Sequence, residues 1–362
     1  MLLGPDAVGG PAIGSAGLTA LLGVAAFVPP LVVWWRFGER ITGSGGLYGY
    51  VRTAAGPRMA AVHGAVWAFS YFLYLPSTVD QLAYEVLPVG FPGLVPYRGW
   101  ILALVPVAMV AAIVLIERAM IAAMAAGAVA QAALVVAFAS VVGHGATVHG
   151  SAFSAAGSSQ IPRGAGNVAL FFVCASLPLY LGAEVAGGGR ALRKTVVGAV
   201  AVAAILLVGG MAVYAGLAGS TVATLPVPGY TLAQVYGSQS FATLLLAGVA
   251  VSVGSLILAE YIALTRLANA AVGVPVRQGA LGIGALFVSS SLISLLDPQG
   301  LYDHLLSASL VALYVSQILV FAAYPVWRRT LGRLSAVDVA AAIAATGLMG
   351  FGLYVAITQA SI

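Results

Sequence analysis

Residues 42–57 read "TGSGGLYGYVRTAAGP", a glycine-rich stretch that is either a phosphate cradle or a break between two membrane spans. A phosphate loop of the G-x-x-x-x-G-K-[ST] kind needs a lysine after its glycines to neutralise the phosphates. None follows here, and the only lysine of the chain is Lys194. The dinucleotide pattern G-x-G-x-x-G also fails, because Tyr48 stands where the third glycine belongs. Nucleotide loops further require a strand before them, whereas Ile13 to Trp35 is one long apolar stretch. The segment is therefore read as a connection between spans.

Composition agrees with that reading. Hydrophobic residues make up 61% of the 362 and charged ones 7%, with a mean hydropathy of +1.05. Soluble domains carry about 25% charged residues, so the chain is an all-α polytopic membrane protein. Its 45 glycines suit helices that approach closely where lipid supplies no hydrophobic drive. The lone Cys174 excludes disulfides and cysteine-rich metal sites within the chain. The net charge of +5 is no nucleic-acid signal, since the basic residues cluster at span ends.

A span needs about 20 mostly apolar residues, and that ruler yields about ten candidates in one transmembrane domain, 1–362. They fall at 13–35, 57–87, 99–116, 119–142, 166–187, 195–217, 241–267, 279–296, 304–326 and 337–358. The third and fourth meet at Glu117-Arg118, which predicts a tight hairpin. Of the 15 basic residues, all but Arg98 and Arg163 fall in alternate loops on one side. By the positive-inside rule that side is cytoplasmic, giving a multi-pass protein of the cytoplasmic membrane. An even number of spans then puts Met1 outside without a signal peptide. Such insertion occurs in a few proteins; the reading carried forward is that a further helix precedes Met1.

With the topology set, "AVGGPAIGSAGLTALLGVAAFVPPLVVWWRFGERITGSGGLYGYVRTAAGP" resembles the amino acid–polyamine–organocation (APC) permease superfamily. Gly9-Gly10-Pro11-Ala12 corresponds to the start of that family's second helix. Ser44-Gly45-Gly46, Tyr48 and Tyr50 correspond to its close, with Thr42 in place of the usual proline. Gly56-Pro57 corresponds to the opening of the third helix. "FFVCASLPLYLGAEVAGGGRALRKTV" (171–196) resembles the sixth helix, though its basic loop is short and lacks N-P-R-R. "SLILAEYIALTRLANAA" (255–271) resembles the eighth, with Thr265-Arg266 in place of S-R. The resemblance spans nearly the whole chain and implies an inverted five-helix-repeat (LeuT-like) transporter fold lacking its first helix.

Such a permease moves amino acids or related amines by alternating access around a midplane site between broken helices. The resemblance implies substrate binding at Ala175, Ser176, Leu177, Pro178, Tyr180 and Gly182, through backbone groups freed around the proline; a plain proline kink is the alternative. Tyr71 and Tyr74, beside Ser70, would line the pocket or else simply pack. Ser255, with Ser252 on one face of its helix, corresponds to a sodium-coordinating position in some relatives, or bonds to its own backbone. Intramembrane acids are costly and usually functional or paired. Glu184 corresponds to the G-x-E position and a gating or proton-coupling role, against pairing with Arg190 or Arg193. Glu260 is a coupling acid or the partner of a cytoplasmic arginine. Asp80 and Glu85 are expected in a solvated outer vestibule. A coupling proton or sodium ion, the substrate and the bilayer are the implied partners; no cofactor, metal or nucleic acid is.

Two rival readings remain. A membrane-embedded enzyme would carry ligands at fixed spacing, such as H-E-x-x-H, and the sequence has none. A non-transporting remnant or scaffold is the other, should the first helix be absent from the protein.

Overall fold

With no water in the hydrocarbon, a spanning backbone must bond to itself, and the apolar runs accordingly close into helices. A computed structural model of the chain describes residues 15–41, 43, 45–145, 150–154, 160–185, 187–216 and 228–359, and among them it is helical without strands. The Gly9–Ala12 motif, Thr42 and Ser44 lie outside the described residues. Helices run α1 (Ala16–Gly38), α2 (Gly46–Gln81), α3 (Leu87–Gly90), α4 (Arg98–Gly145), α5 (Ile161–Leu170) and α6 (Gly188–Gly216). They continue as α7 (Pro228–Tyr236), α8 (Gln239–Val272), α9 (Val276–Ile293), α10 (Pro298–Thr330) and α11 (Ala336–Gln359). Among the described residues eight stretches are long and apolar enough to cross a membrane. The protein is a multi-pass helical membrane protein.

The eight stretches differ from the ten expected spans for two local reasons. The segments 99–116 and 119–142 form one continuous 53-residue stretch with the turn before them, Pro92–His144. It is interrupted only at Ile116 (φ −137°, ψ 35°), next to the expected Glu117-Arg118 corner. The span expected at 57–87 begins inside α2, whose Gly56 has φ 85° and ψ 174°. That conformation is open to glycine without a Cβ penalty, and Pro57 starts the next turn without needing an amide bond. α2 then runs into a π-helical turn, Leu82–Val86.

α2 and α10 form the central pair and run antiparallel. Ser70 Oγ donates to the Ser309 carbonyl at 2.8 Å, and Ser309 Oγ returns the bond to the Ser70 carbonyl at 2.9 Å. Further along, Ser294, just before α10, donates to Asp80 at 3.0 Å, so rising numbers on one helix meet falling numbers on the other. Side-chain hydroxyls across helix pairs satisfy one another where lipid cannot. α1 packs on α5, α6 and α11; a Cβ on Gly23 would sit 2.5 Å from Val168, so only glycine permits that approach.

Ion pairs gather the basic loops at one end of the bundle. Arg193 at the start of α6 reaches Glu39 after α1 at 3.3 Å and lies 4.4 Å over the Trp35 ring. Arg266 near the end of α8 binds Glu117 and Glu184. Arg328 on α10 reaches Asp338 at 3.2 Å, within a capping box in which Ser335 and Asp338 exchange bonds at the start of α11. Loops assigned to one side by charge are thus bonded to one another. Single cysteines at Arg118 or Arg333 in a Cys174→Ser background are expected to react with an impermeant maleimide only after cells are permeabilised. A cysteine at Tyr97 should react in intact cells; the opposite pattern would invert the topology.

Candidate functional site

Between α2, α5, α8, α10 and α11 lies an open cleft of about 730 Å³, within the size range of small-molecule sites. α2 contributes Ser70, Tyr71 and Tyr74, spaced to share one helical face. Asn167, Phe171 and Cys174 come from α5 and the turn after it, Ser252 and Leu256 from α8, and Ser309 and Tyr314 from α10. On α2, α8, α10 and α11 the lining residues lie from about the helix midpoints toward the ends remote from the basic loops. The cleft therefore sits in the half of the bundle away from the basic side.

The helix carrying Pro178 changes geometry beside this cleft. After Leu170 the α-helix tightens into a 3₁₀ helix over Phe171–Leu181. Runs of that kind longer than three or four residues are uncommon and often mark a functional hinge. The segment is wound, not opened into extended backbone. Phe171 and Cys174 reach the cleft, one turn earlier in the chain than the expected stretch from Ala175 to Gly182. Ala175 is half-buried and packs against the core. Leu177 and Ser176 are buried, and Pro178 is exposed. Gly182 borders a separate small pocket with Tyr50 and Arg193 at the basic end.

Below the cleft an aromatic stack closes the bundle. Trp67 sits between Tyr71 and Tyr180, with ring centroids at 4.3 and 4.4 Å, and Trp67 and Tyr180 are fully buried. Tyr180 in turn lies against Gly46, where a Cβ would come within 2.7 Å of the ring. With φ 50° as well, that position suits glycine on both counts. Gly46 is thus the floor on which the closing tyrosine rests.

Beneath the stack, Arg266 is 4% exposed and uses both edges of its guanidinium. Nε and Nη2 grip Glu184 at 2.5 and 3.0 Å, and Nη2 also reaches Glu117 at 2.5 Å. Such forked, charge-assisted bonds are the strong ones. The partner of Glu184 is Arg266, and not Arg190 or Arg193, the pairing set as the alternative to a gating role; the fold brings α8 closer to the end of the 3₁₀ segment than the adjacent loop does. Asp80 is likewise buried at 2% exposure and bonded to Ser294, not solvated in a vestibule; only Glu85 is exposed.

Glu260 has no arginine partner. It is fully buried, and neither carboxylate oxygen has a hydrogen-bond partner. It follows Leu256 of the cleft by one helical turn and lies within electrostatic reach of Tyr71 and Cys174, both lining residues. Ser252 lines the cleft, whereas Ser255 lies toward Gly127 of α4. His63 and Gln317 are also fully buried with unbonded polar atoms. Among the described residues no three His, Cys, Asp or Glu side chains converge as a metal site.

Sequence reasoning missed Asn167, Cys174, Ser309 and Tyr314. Hydroxyls were weighed on α2 and α8 but not on α10, although Ser309, Ser316 and Gln317 interrupt its apolar run. No family model matches the chain, and no curated protein matches it at a significant level.

Removing Arg266 leaves two carboxylates facing each other. Breaking a fully buried pair costs about 3–5 kcal/mol, but the Glu184 side chain is 43% exposed, so solvent reduces the cost. Arg266→Gln is expected to destabilise the purified protein by roughly 1–3 kcal/mol in thermal unfolding. Arg190→Gln, on an exposed residue, should shift stability by no more than about 0.5 kcal/mol.

Proposed function

We propose that the protein is a secondary transporter (a permease) that moves amino acids or related amines across the cytoplasmic membrane by alternating access. The observation that carries this reading is a cleft of about 730 Å³ among five helices, in the half of the bundle remote from the basic loops, with packed side chains between it and those loops. The closure has two layers, the Tyr71–Trp67–Tyr180 stack and the Arg266–Glu184–Glu117 cluster. Alternating access needs a site with one closed and one open side, and packed layers that can exchange roles. The long 3₁₀ segment supplies an element able to change its winding between states. The resemblance of 9–57, 171–196 and 255–271 to APC permeases supports the LeuT-like inverted-repeat arrangement as the frame for this motion.

In this mechanism, substrate settles against Tyr71, Tyr74 and the 3₁₀ segment around Cys174 to Tyr180. Closure of the outer half then loosens the Trp67 stack and the Arg266 cluster, which opens the opposite side. Glu184 acts as a gate because its charge is one of the two that hold Arg266. Proteoliposomes containing the purified protein should show saturable uptake from a mixture of radiolabelled amino acids and amines, with the label recovered chemically unchanged. Tyr71→Ala should reduce that uptake at least about tenfold, the effect of losing about 1.4 kcal/mol of contact. Uptake equal to that of empty liposomes would overturn the transport reading, and altered label would favour an enzyme.

A further inference from the structure

Among the described residues Glu260 is the one fully buried acid for which the structure provides no hydrogen bond. An isolated ionised carboxylate in a low-dielectric interior costs far more than a paired one, so an unpartnered acid next to a cleft needs an explanation from the cleft. The Tyr71 phenol and the Ser176 hydroxyl are buried as well and lie within bonding reach of each other. Tyr71 also neighbours Cys174 and Glu260, which places the carboxylate and two hydroxyls together beside one wall of the cavity. Native interiors leave few polar groups unbonded, and the unpartnered carboxylate is the one that lacks a donor.

The chemistry of that donor follows from its surroundings. Among the described residues every one lining the cleft is neutral: hydroxyls, one amide, one thiol and apolar or aromatic side chains. Among them no Lys or Arg is present to hold a carboxylate or phosphate. The rings of Phe171, Tyr74 and Tyr314 add faces that attract cations, and leucines complete an apolar chamber. A primary ammonium presents three hydrogens and no acceptor, which matches one carboxylate and two hydroxyls.

We infer that the cleft binds an organic primary ammonium with an apolar body and no carboxylate, and that Glu260, with Tyr71 and Ser176, holds its charged head. The ligand reaches Glu260 by displacing the Tyr71 ring, which is part of both the cleft wall and the closing stack. Charge recognition is thereby coupled to the aromatic closure. This inference rests on the transport reading for its purpose but not for its test, which measures binding.

The test uses the full chain in detergent, with 2-phenylethylamine, 2-phenylethanol and L-phenylalanine as probes, followed by the quenching of tryptophan fluorescence and by calorimetry. The amine should bind saturably. The alcohol, lacking the charge, and the amino acid, carrying a carboxylate that the cleft cannot pair, should each bind at least about tenfold more weakly, the scale of one charged hydrogen bond. Glu260→Gln should erase the preference for the amine over the alcohol, while Glu85→Gln, on an exposed acid, should keep it. Binding of L-phenylalanine as tight as that of the amine, an unchanged preference in Glu260→Gln, or no amine binding at millimolar concentration would each overturn the inference. So would displacement of the amine by millimolar sodium, which would make this an alkali-cation site. Should Glu260→Gln fail to fold, the three probes on the unaltered protein still decide. Amine binding without uptake in liposomes would retain the inference and remove the transport reading; uptake independent of Glu260 would do the reverse.

Discussion

A guanidinium stays charged at any physiological pH, so Arg266, almost completely buried near the end of α8, must be matched by acids wherever the fold places it. It is matched twice, by Glu117 beside the break in α4 and by Glu184 at the end of the 3₁₀ segment. One side chain therefore ties three elements that are far apart in the chain. The Arg193–Glu39 and Arg328–Asp338 pairs repeat the device on α1, α6, α10 and α11. These pairs tie the elements of the basic end to one another.

The opposite half is built on a different balance. The serine exchange between α2 and α10 and the Asp80–Ser294 bond hold the central pair together, while Glu260 on α8, His63 on α2 and Gln317 on α10 keep unbonded polar atoms. Buried polar groups without partners cost stability. The unpartnered Glu260 beside the cleft contrasts with Glu117 and Glu184 at the other end, which share Arg266. The aromatic stack of Tyr71, Trp67 and Tyr180 forms the boundary between the two.

That boundary explains why one segment combines several unusual features. Phe171–Leu181 is 3₁₀ throughout, which lengthens the rise per residue and turns side chains relative to an α-helix. As a result Cys174 points to the cleft, Tyr180 to the stack and Glu184 to Arg266 within about three turns. Proline at 178 denies the segment an α-helical hydrogen bond, so the sequence disfavours the regular alternative. Gly46 answers from the facing helix by leaving room for the Tyr180 ring.

Much of this was fixed by composition and local pattern. Apolar runs of membrane-spanning length, the interruption at Gly56-Pro57 and the one-sided placement of arginine follow from solvation and backbone sterics, which act on each segment alone. Tyr71 and Tyr74 stood out as aromatics near the middle of one span, either lining a pocket or packing, and they border the cleft. The partners could not. Whether Glu184 meets Arg193 nearby or Arg266 82 residues away, whether Asp80 faces water or Ser294, and whether Glu260 finds an arginine or nothing depend on which helices become neighbours. The packing that decides this is set by small residues and hydroxyls scattered over the whole chain. Pairing energy belongs to two groups at once, so no single stretch of sequence carries it, and only the assembled bundle shows which acids are spoken for and which one is left over.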